Sequence, residues 1–75
     1  MRIYTSYYDG SNEGIGWHTE IGDMFPTRDD AIADAMKRFE LYDEIKYVSV
    51  WAEEITNTGR RTICQVFSKE KEVQQ

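Results

Sequence analysis

The chain of 75 residues has one cysteine, one proline and one histidine. With Cys64 as the only thiol, no internal disulfide can form, which excludes the small secreted domains that are held together by disulfides. No stretch reaches the roughly 18 apolar residues of a membrane helix. The first residues lead into a strand pattern and not into a signal peptide. These absences predict a cytoplasmic protein without a membrane partner.

Basic residues are also few. Nine Lys and Arg against fourteen Asp and Glu give a formal net charge of −5, and the bases are scattered along the chain. Nucleic-acid-binding proteins neutralise phosphates with clustered bases, so we expect no nucleic-acid partner. An acidic surface is typical of proteins that bind basic protein partners, and it also favours solubility.

The first part of the chain has the pattern of a β-hairpin. Residues 2–8 are rich in β-branched and aromatic side chains, and residues 15–21 alternate apolar with polar. The turn-forming run at 9–12 lies between the two segments. Residues 22–26 are expected to form a connector.

A helix is predicted to follow. Thr27 is a suitable N-cap, with Asp29 and Asp30 placed to interact with the positive end of the helix dipole. Apolar residues recur at helical spacing on one face, and Leu41 points away from that face. The apolar face comprises Ala31, Ile32, Ala35, Met36, Phe39 and Tyr42.

The second part of the chain has the pattern of another hairpin. Residues 45–55 form the strongest strand signal, residues 57–59 suit a three-residue loop ending in Gly, and the returning strand covers the residues up to 68. The sequence therefore predicts an α+β fold: a four-stranded, mainly antiparallel sheet with one amphipathic helix on one face, in the order ββαββ. Residues 1–68 would form the single domain, and 69–75 a frayed polar tail.

The predicted loop fixes which residues of the second hairpin share a face. It places Val50 opposite Val66 and Ala52 opposite Cys64, so that small apolar residues lie under the helix. The other face then carries larger side chains, and exposed aromatic patches often mark contact surfaces. The residues predicted to bind a partner on this face are Tyr47, Trp51, Ile63 and Phe67.

Two alternatives stay open for this face. A register shifted by one residue would place the large side chains under the helix, and the connector 24–26 could instead fold over the second face. An open aromatic face could also stack RNA bases, but the negative charge argues against that use. A protein partner or a second copy of the chain fits better.

Residues able to perform chemistry are sparse. Cys64 is expected on the core face, and His18 on a face away from Trp17, so a catalytic pair is not expected. Zinc needs about four Cys or His ligands, and the segment from Asp9 to Glu20 only partly matches a calcium loop. A hairpin loop explains the same letters. We predict no catalytic residues, no metal and no cofactor.

Acidic residues are spread over positions expected at the surface. Those predicted to contact a partner are Asp34, Glu40, Asp43, Glu44 and Glu53, with further acids at Asp9, Glu13, Glu20 and Glu54. In size, in its single ββαββ layer and in this charge, the chain resembles the small acidic inhibitors encoded by phages and other mobile elements, such as anti-CRISPR proteins. The resemblance implies stoichiometric binding to a basic, nucleic-acid-binding surface of a host protein.

Three functions are therefore considered. The first is a non-enzymatic protein-binding module, including an inhibitor of the kind just described. The second is a small structural homodimer packed through the sheet face. The third, and least favoured, is a metal-binding protein or thiol enzyme.

Overall fold

The computed structural model describes the backbone of residues 1–12 and 16–71, and the side chains of residues 1–9 and 22–71. It confirms the predicted α+β fold and the order ββαββ. The elements are β1 (Arg2–Asn12), β2 (Gly16–Phe25), α1 (Arg28–Leu41), β3 (Ile45–Thr56) and β4 (Gly59–Glu70).

All four strands belong to one antiparallel sheet with the order β2-β1-β3-β4. The two hairpins thus lie side by side, joined through the pairing of β1 with β3. Helix α1 packs against β1, β2 and β3. Strands β2 and β4 form the two edges of the sheet.

A capping hydrogen bond marks each end of helix α1. The Thr27 side chain accepts a hydrogen bond from the backbone N–H of Asp30 at 3.3 Å, which confirms the predicted N-cap. At the other end the Tyr42 N–H donates to the Arg38 carbonyl at 3.1 Å. Among the described residues, no helix combines the length and apolar character needed to cross a membrane.

The core lies between α1 and one face of the sheet. Ala31 and Ala35 are almost completely buried, and their small side chains allow the helix to approach the sheet closely. Val48 and Val50 are fully buried beneath it, as predicted, and each contributes about 1.5–3 kcal/mol by leaving water. Leu41 is 64% exposed and points away from the core, also as predicted.

Strands β2 and β4 are longer than expected. The segment assigned to a connector belongs to β2, which continues to Phe25 and pairs there with Tyr4 of β1. Strand β4 continues through Lys69 and Glu70, which had been assigned to the polar tail. Residues 72–75 lie outside the described part of the chain.

The predicted register of the second hairpin is wrong at several positions. Thr56 pairs with Gly59, so the turn is one residue shorter than expected, and Gly59 has the positive φ of 139° that favours glycine. Ala52 does pair with Cys64, but Val50 pairs with Phe67 and not with Val66. The reason is a pair of β-bulges in β4, where Ile63 and Val66 have no opposite residue.

Two side chains are not placed as predicted, Phe67 because of the bulge at Val66 and Cys64 because of its position on an edge strand. Phe67 lies opposite Val50 and, like Val66, packs against the helix-side core, so it does not belong to the outer aromatic face. Cys64 is exposed, because it belongs to an edge strand that extends beyond the helix. The prediction of a buried structural cysteine is therefore wrong.

Candidate binding groove on the helix-free sheet face

The sheet face that points away from α1 is built from alternate residues of the two central strands. The β1–β3 register places Thr5 opposite Trp51, Tyr7 opposite Ser49, and Asp9 opposite Tyr47. Within residues 1–12 and 16–71 the one helix lies on the opposite side, so no helix or strand packs on this face.

An open groove of about 410 Å³ lies on this face. Three aromatic side chains form most of its lining, with one carboxylate and two hydroxyl groups between them. The lining residues are Tyr7, Asp9, Tyr47, Ser49, Trp51 and Thr62. This volume is within the range of sites that hold a small ligand or a protruding side chain. We call it the aromatic groove.

Trp51 is held in a defined orientation. Its indole Nε1–H donates to Ser49 Oγ at 3.1 Å, and Ser49 is itself only 4% exposed. Because the ring's only hydrogen-bond donor is engaged, Trp51 can offer a ligand its aromatic carbon surface but not its N–H.

Asp9 is the groove's negatively charged residue. Its Oδ1 is buried and has no hydrogen-bond partner, and no ion pair to Asp9 exists in the described part of the chain. A buried polar atom without a partner is unusual in folded proteins. Among the residues whose side chains are described, the Asp9 carboxylate at the groove therefore has no counter-charge.

A second carboxylate on the same face, that of Glu53, does have an ion-pair partner and a hydrogen-bond donor. Glu53 is 2% exposed, and its Oε2 lies 3.2 Å from Arg60 Nε. Its Oε1 accepts a hydrogen bond from the Tyr7 hydroxyl at 3.3 Å. Arg60 also reaches Met24 Sδ on the far edge strand at 3.1 Å. The expected surface position of Glu53 is wrong, because the side chain is buried and is bound by Arg60 and Tyr7.

The contact between Tyr7 and Glu53 also affects the tyrosine. Burial and the nearby Glu53 charge raise the pKa of Tyr7 above its usual value of 10.0, although the Arg60 cation partly opposes this. The two side chains meet above the stretch of β1 that contains Thr5, which has no exposed surface and whose Oγ1 has no hydrogen-bond partner.

The structure brings together only part of the predicted aromatic surface. Tyr47 and Trp51 line the aromatic groove as expected. Ile63 lies at a bulge and is 40% exposed, while Phe67 is on the helix side. Tyr7, which also lines the groove, was not among the predicted site residues.

Asp9 was assigned to a loop in the sequence interpretation. Its position two residues beyond Tyr7 on the same strand would have placed it on the face of Tyr7, had β1 been extended to Asn12. The missed signal was the continuation of strand period two into the turn-forming residues.

The predicted acidic contact residues divide into two groups. Asp34 accepts hydrogen bonds from Arg38 Nε at 3.1 Å and from Ser6 Oγ at 3.4 Å, so it is part of an internal network on the helix side. Glu40, Asp43 and Glu44 are exposed and free of any described ion pair. None of these four lines the aromatic groove.

The candidate chemical sites are not assembled in the described residues. Cys64 lies on β4, whereas His18 lies on β2, at the opposite edge of the sheet, where its backbone pairs with Gly10 of β1. No group of three or more metal-ligating side chains is present in the described part of the chain. The first part of the candidate calcium loop, Asp9–Asn12, belongs to β1. Residues 13–15 lie outside the described residues, and the side chain of Glu20 is not described.

The aromatic groove is therefore the candidate functional site among the described residues. The resemblance to phage-encoded inhibitors stays a prediction from size and charge. The chain matches no protein-family model, no curated protein and no solved structure.

Proposed function

We propose that the protein is a non-enzymatic binding module that takes a segment of a partner protein into the aromatic groove. The observation that carries this proposal is the groove itself: Tyr7, Tyr47 and Trp51 lie together on a sheet face that no described element covers. Aromatic residues are enriched at the centres of protein interfaces, where they contribute much of the binding energy.

The order of the groove also supports binding by a prepared surface. The Trp51 indole is held by Ser49, and the Tyr7 hydroxyl by Glu53. Side chains that are already fixed lose less conformational entropy when a partner binds. The two central strands that carry them are paired on both sides, which makes the floor of the groove rigid.

The charge of the chain favours a basic partner. With a net charge of −5, the protein attracts positively charged surfaces and is repelled by nucleic acid. A basic, nucleic-acid-binding surface of a host protein is the partner implied by the resemblance to phage-encoded inhibitors, and the protein would then act as a cytoplasmic inhibitor.

A homodimer packed through the same face is the second candidate. Ile55 and Ile63 are 37% and 40% exposed on the β3–β4 hairpin, so apolar surface continues beyond the groove. Light scattering over a range of concentrations separates the two functions. A mass that stays at 8.8 kDa at high concentration would discard the homodimer.

The proposal is tested by variants on opposite sides of the sheet. Affinity capture from the native host is compared for the wild type, Trp51→Ala and Leu41→Ala, and the captured protein is purified and its Kd measured by calorimetry. We expect Trp51→Ala to weaken binding at least tenfold, as for a central interface aromatic, and Leu41→Ala to leave it unchanged. Equal Kd values for all three proteins would refute the proposal.

Trp51 is half-buried, so its replacement also removes packing contacts within the fold. Tyr47→Ala is therefore measured in parallel, with circular dichroism to confirm that each variant is folded. A folded Tyr47→Ala variant that binds like the wild type, together with an unfolded Trp51→Ala variant, would also count against the groove.

A further inference from the structure

We infer that the aromatic groove receives one cationic side chain, a lysine or an arginine of a basic partner segment, with Asp9 as its counter-charge. This inference rests on the proposed function and adds the chemistry of the group that the groove recognises. It is carried by three observations: the aromatic lining, the Asp9 carboxylate without an ion pair in the described part of the chain, and the overall negative charge.

The register places the carboxylate beside the aromatic rings. Asp9 is directly opposite Tyr47, and Tyr7 is two residues away on the same strand and face. Directly opposite residues in an antiparallel pair have Cβ atoms about 4.5–5.5 Å apart, and diagonal neighbours are about 7–8 Å apart. A group that enters between Tyr47 and Tyr7 is therefore within reach of the Asp9 carboxylate.

Glu53 and Asp9, two of the carboxylates on this face, differ in whether a described cation pairs with them. Glu53 is already paired with Arg60 and hydrogen-bonded by Tyr7. Asp9 has no ion pair among the described residues, and its Oδ1 has no donor. A positive charge placed in the groove would stabilise this carboxylate, and the interaction is strong because a partly buried site is screened less than open water.

The aromatic residues favour a cation over a neutral apolar group. The face of an aromatic ring carries partial negative charge and attracts ammonium and guanidinium groups, with tryptophan as the best partner. Since the Trp51 N–H is bound to Ser49, the ring offers a ligand its π system and not its donor. Three aromatic residues and one carboxylate form a set of groups that complements a cation.

The cation is inferred to belong to a protein. Phosphate-bearing nucleic acids and anionic membranes are repelled by a chain with a net charge of −5. A lysine or arginine side chain presents its charge at the end of an apolar stem, which can cover the apolar parts of the rings while the charged end approaches Asp9. Arginine adds a planar group that stacks on indole.

The test uses short blocked peptides as probes. Peptides Gly-Lys-Gly, Gly-Arg-Gly, Gly-norleucine-Gly and Gly-Glu-Gly are titrated into ¹⁵N-labelled protein, and the Trp51 indole N–H signal, assigned with Trp51→Phe, is followed by NMR. We expect the Lys and Arg peptides to shift this signal with saturation, and the norleucine and Glu peptides to leave it in place. The difference between the Lys and Arg titrations shows which cation is preferred.

Matched variants assign the charge effect to Asp9. Asp9→Asn keeps the size of the side chain and is expected to weaken the Lys or Arg peptide about tenfold, as for loss of a charge-assisted contact. Asp29→Asn removes an exposed acid from the first turn of α1, on the other side of the sheet, and is expected to leave binding unchanged. Tyr47→Leu keeps apolar bulk but removes a ring, and should weaken cation binding without unfolding the chain.

The outcomes separate this inference from the proposed function. Equal binding of the norleucine and Lys peptides, no binding of any peptide, or an unchanged affinity in Asp9→Asn would each overturn the cation assignment. If the purified partner still required Trp51 in those cases, the protein-binding function would stand without it. If the partner bound Trp51→Ala and Tyr47→Ala as it binds the wild type, both proposals would fail.

Discussion

Replacement of Arg60 by alanine removes the cation that faces Glu53, and we expect it to destabilise the fold far more than its exposed position on an edge strand suggests. The Glu53 side chain is 3% exposed, whereas the Arg60 side chain is 37% exposed. Without Arg60, a nearly buried carboxylate would keep only its hydrogen bond from Tyr7.

The magnitude follows from the burial of the two partners. Removing one member of a fully buried ion pair costs about 3–5 kcal/mol. Because Arg60 is partly solvated, and because water can approach Glu53 once the side chain is shortened, we expect a loss of about 2–3 kcal/mol in the free energy of unfolding. A domain of this size has a total stability of about 4–11 kcal/mol, so the midpoint of thermal unfolding should fall by about 10–20 °C.

Urea unfolding followed by circular dichroism measures this loss, and Arg61→Ala is the matched control. Arg61 is the next residue on the same strand, is exposed, and has no ion pair in the described part of the chain. Arg60→Met separates the lost charge from the lost packing of the aliphatic stem. In a Glu53→Gln background, Arg60→Ala should cost less, because no charge is then left unpaired.

The reasoning would be refuted if Arg60→Ala and Arg61→Ala differed by less than about 0.5 kcal/mol, the usual range of neutral surface substitutions. An effect of Arg60→Ala that stayed the same in the Glu53→Gln background would show that Arg60 acts through packing and not through the ion pair.

Three further predictions concern other parts of the molecule. The raised pKa of Tyr7 contributes stability that is complete below about pH 10, the value for an unfolded tyrosine, and that is lost as pH rises through the folded pKa. In urea unfolding measured from pH 8 to 11, Tyr7→Phe should therefore reduce the alkaline loss of stability, and an unchanged pH profile would contradict this prediction. A Cβ on Gly22 would lie 2.3 Å from Ser6 Oγ, so Gly22→Ala should cost about 1–3 kcal/mol and clearly less in a Ser6→Ala background; equal costs in the two backgrounds would count against the contact. Cys64 is exposed, so it should react with a thiol reagent in the folded protein as fast as in urea, and strong protection would place it inside.

Much of the fold could be predicted from the sequence, because its signals are local. Thr27 followed by Asp29 and Asp30 fixes the start of the helix, and the small apolar residues at 48 and 50 identify the face that the helix covers. Turn-forming residues between alternating segments predict the hairpins. Each of these features depends on neighbours within a few positions along the chain.

The errors in the predicted sheet register arise where one extra residue in a strand changes the face on which the following side chains lie. A β-bulge has no clear sequence signal, yet the extra residue at Val66 transfers Phe67 from one face of the sheet to the other. Half of the predicted aromatic surface was lost for this reason. Tyr47 and Trp51 were placed correctly because β3 is a central strand without an extra residue of its own between them.

Burial of polar groups was the second source of error. Alternation places Glu53 correctly on the helix-free face, but only the three-dimensional path of Arg60 shows that the carboxylate is covered. Asp9, in contrast, lies in a run of turn-forming residues that predicted a loop, whereas the structure places it in β1. The charge of a residue could be read from the sequence in both cases, whereas its counter-ion could not.

The two bulges of β4 also affect how the molecule behaves at high concentration. An edge strand presents a row of unpaired N–H and C=O groups that can pair with the edge of another chain and begin aggregation. Bulges at Ile63 and Val66 interrupt that row and bend the strand, and the cationic side chains of Arg60, Arg61 and Lys69 add charge along it. The irregularity that misplaces Phe67 in a prediction is thus also a feature that disfavours pairing of the β4 edge with another chain.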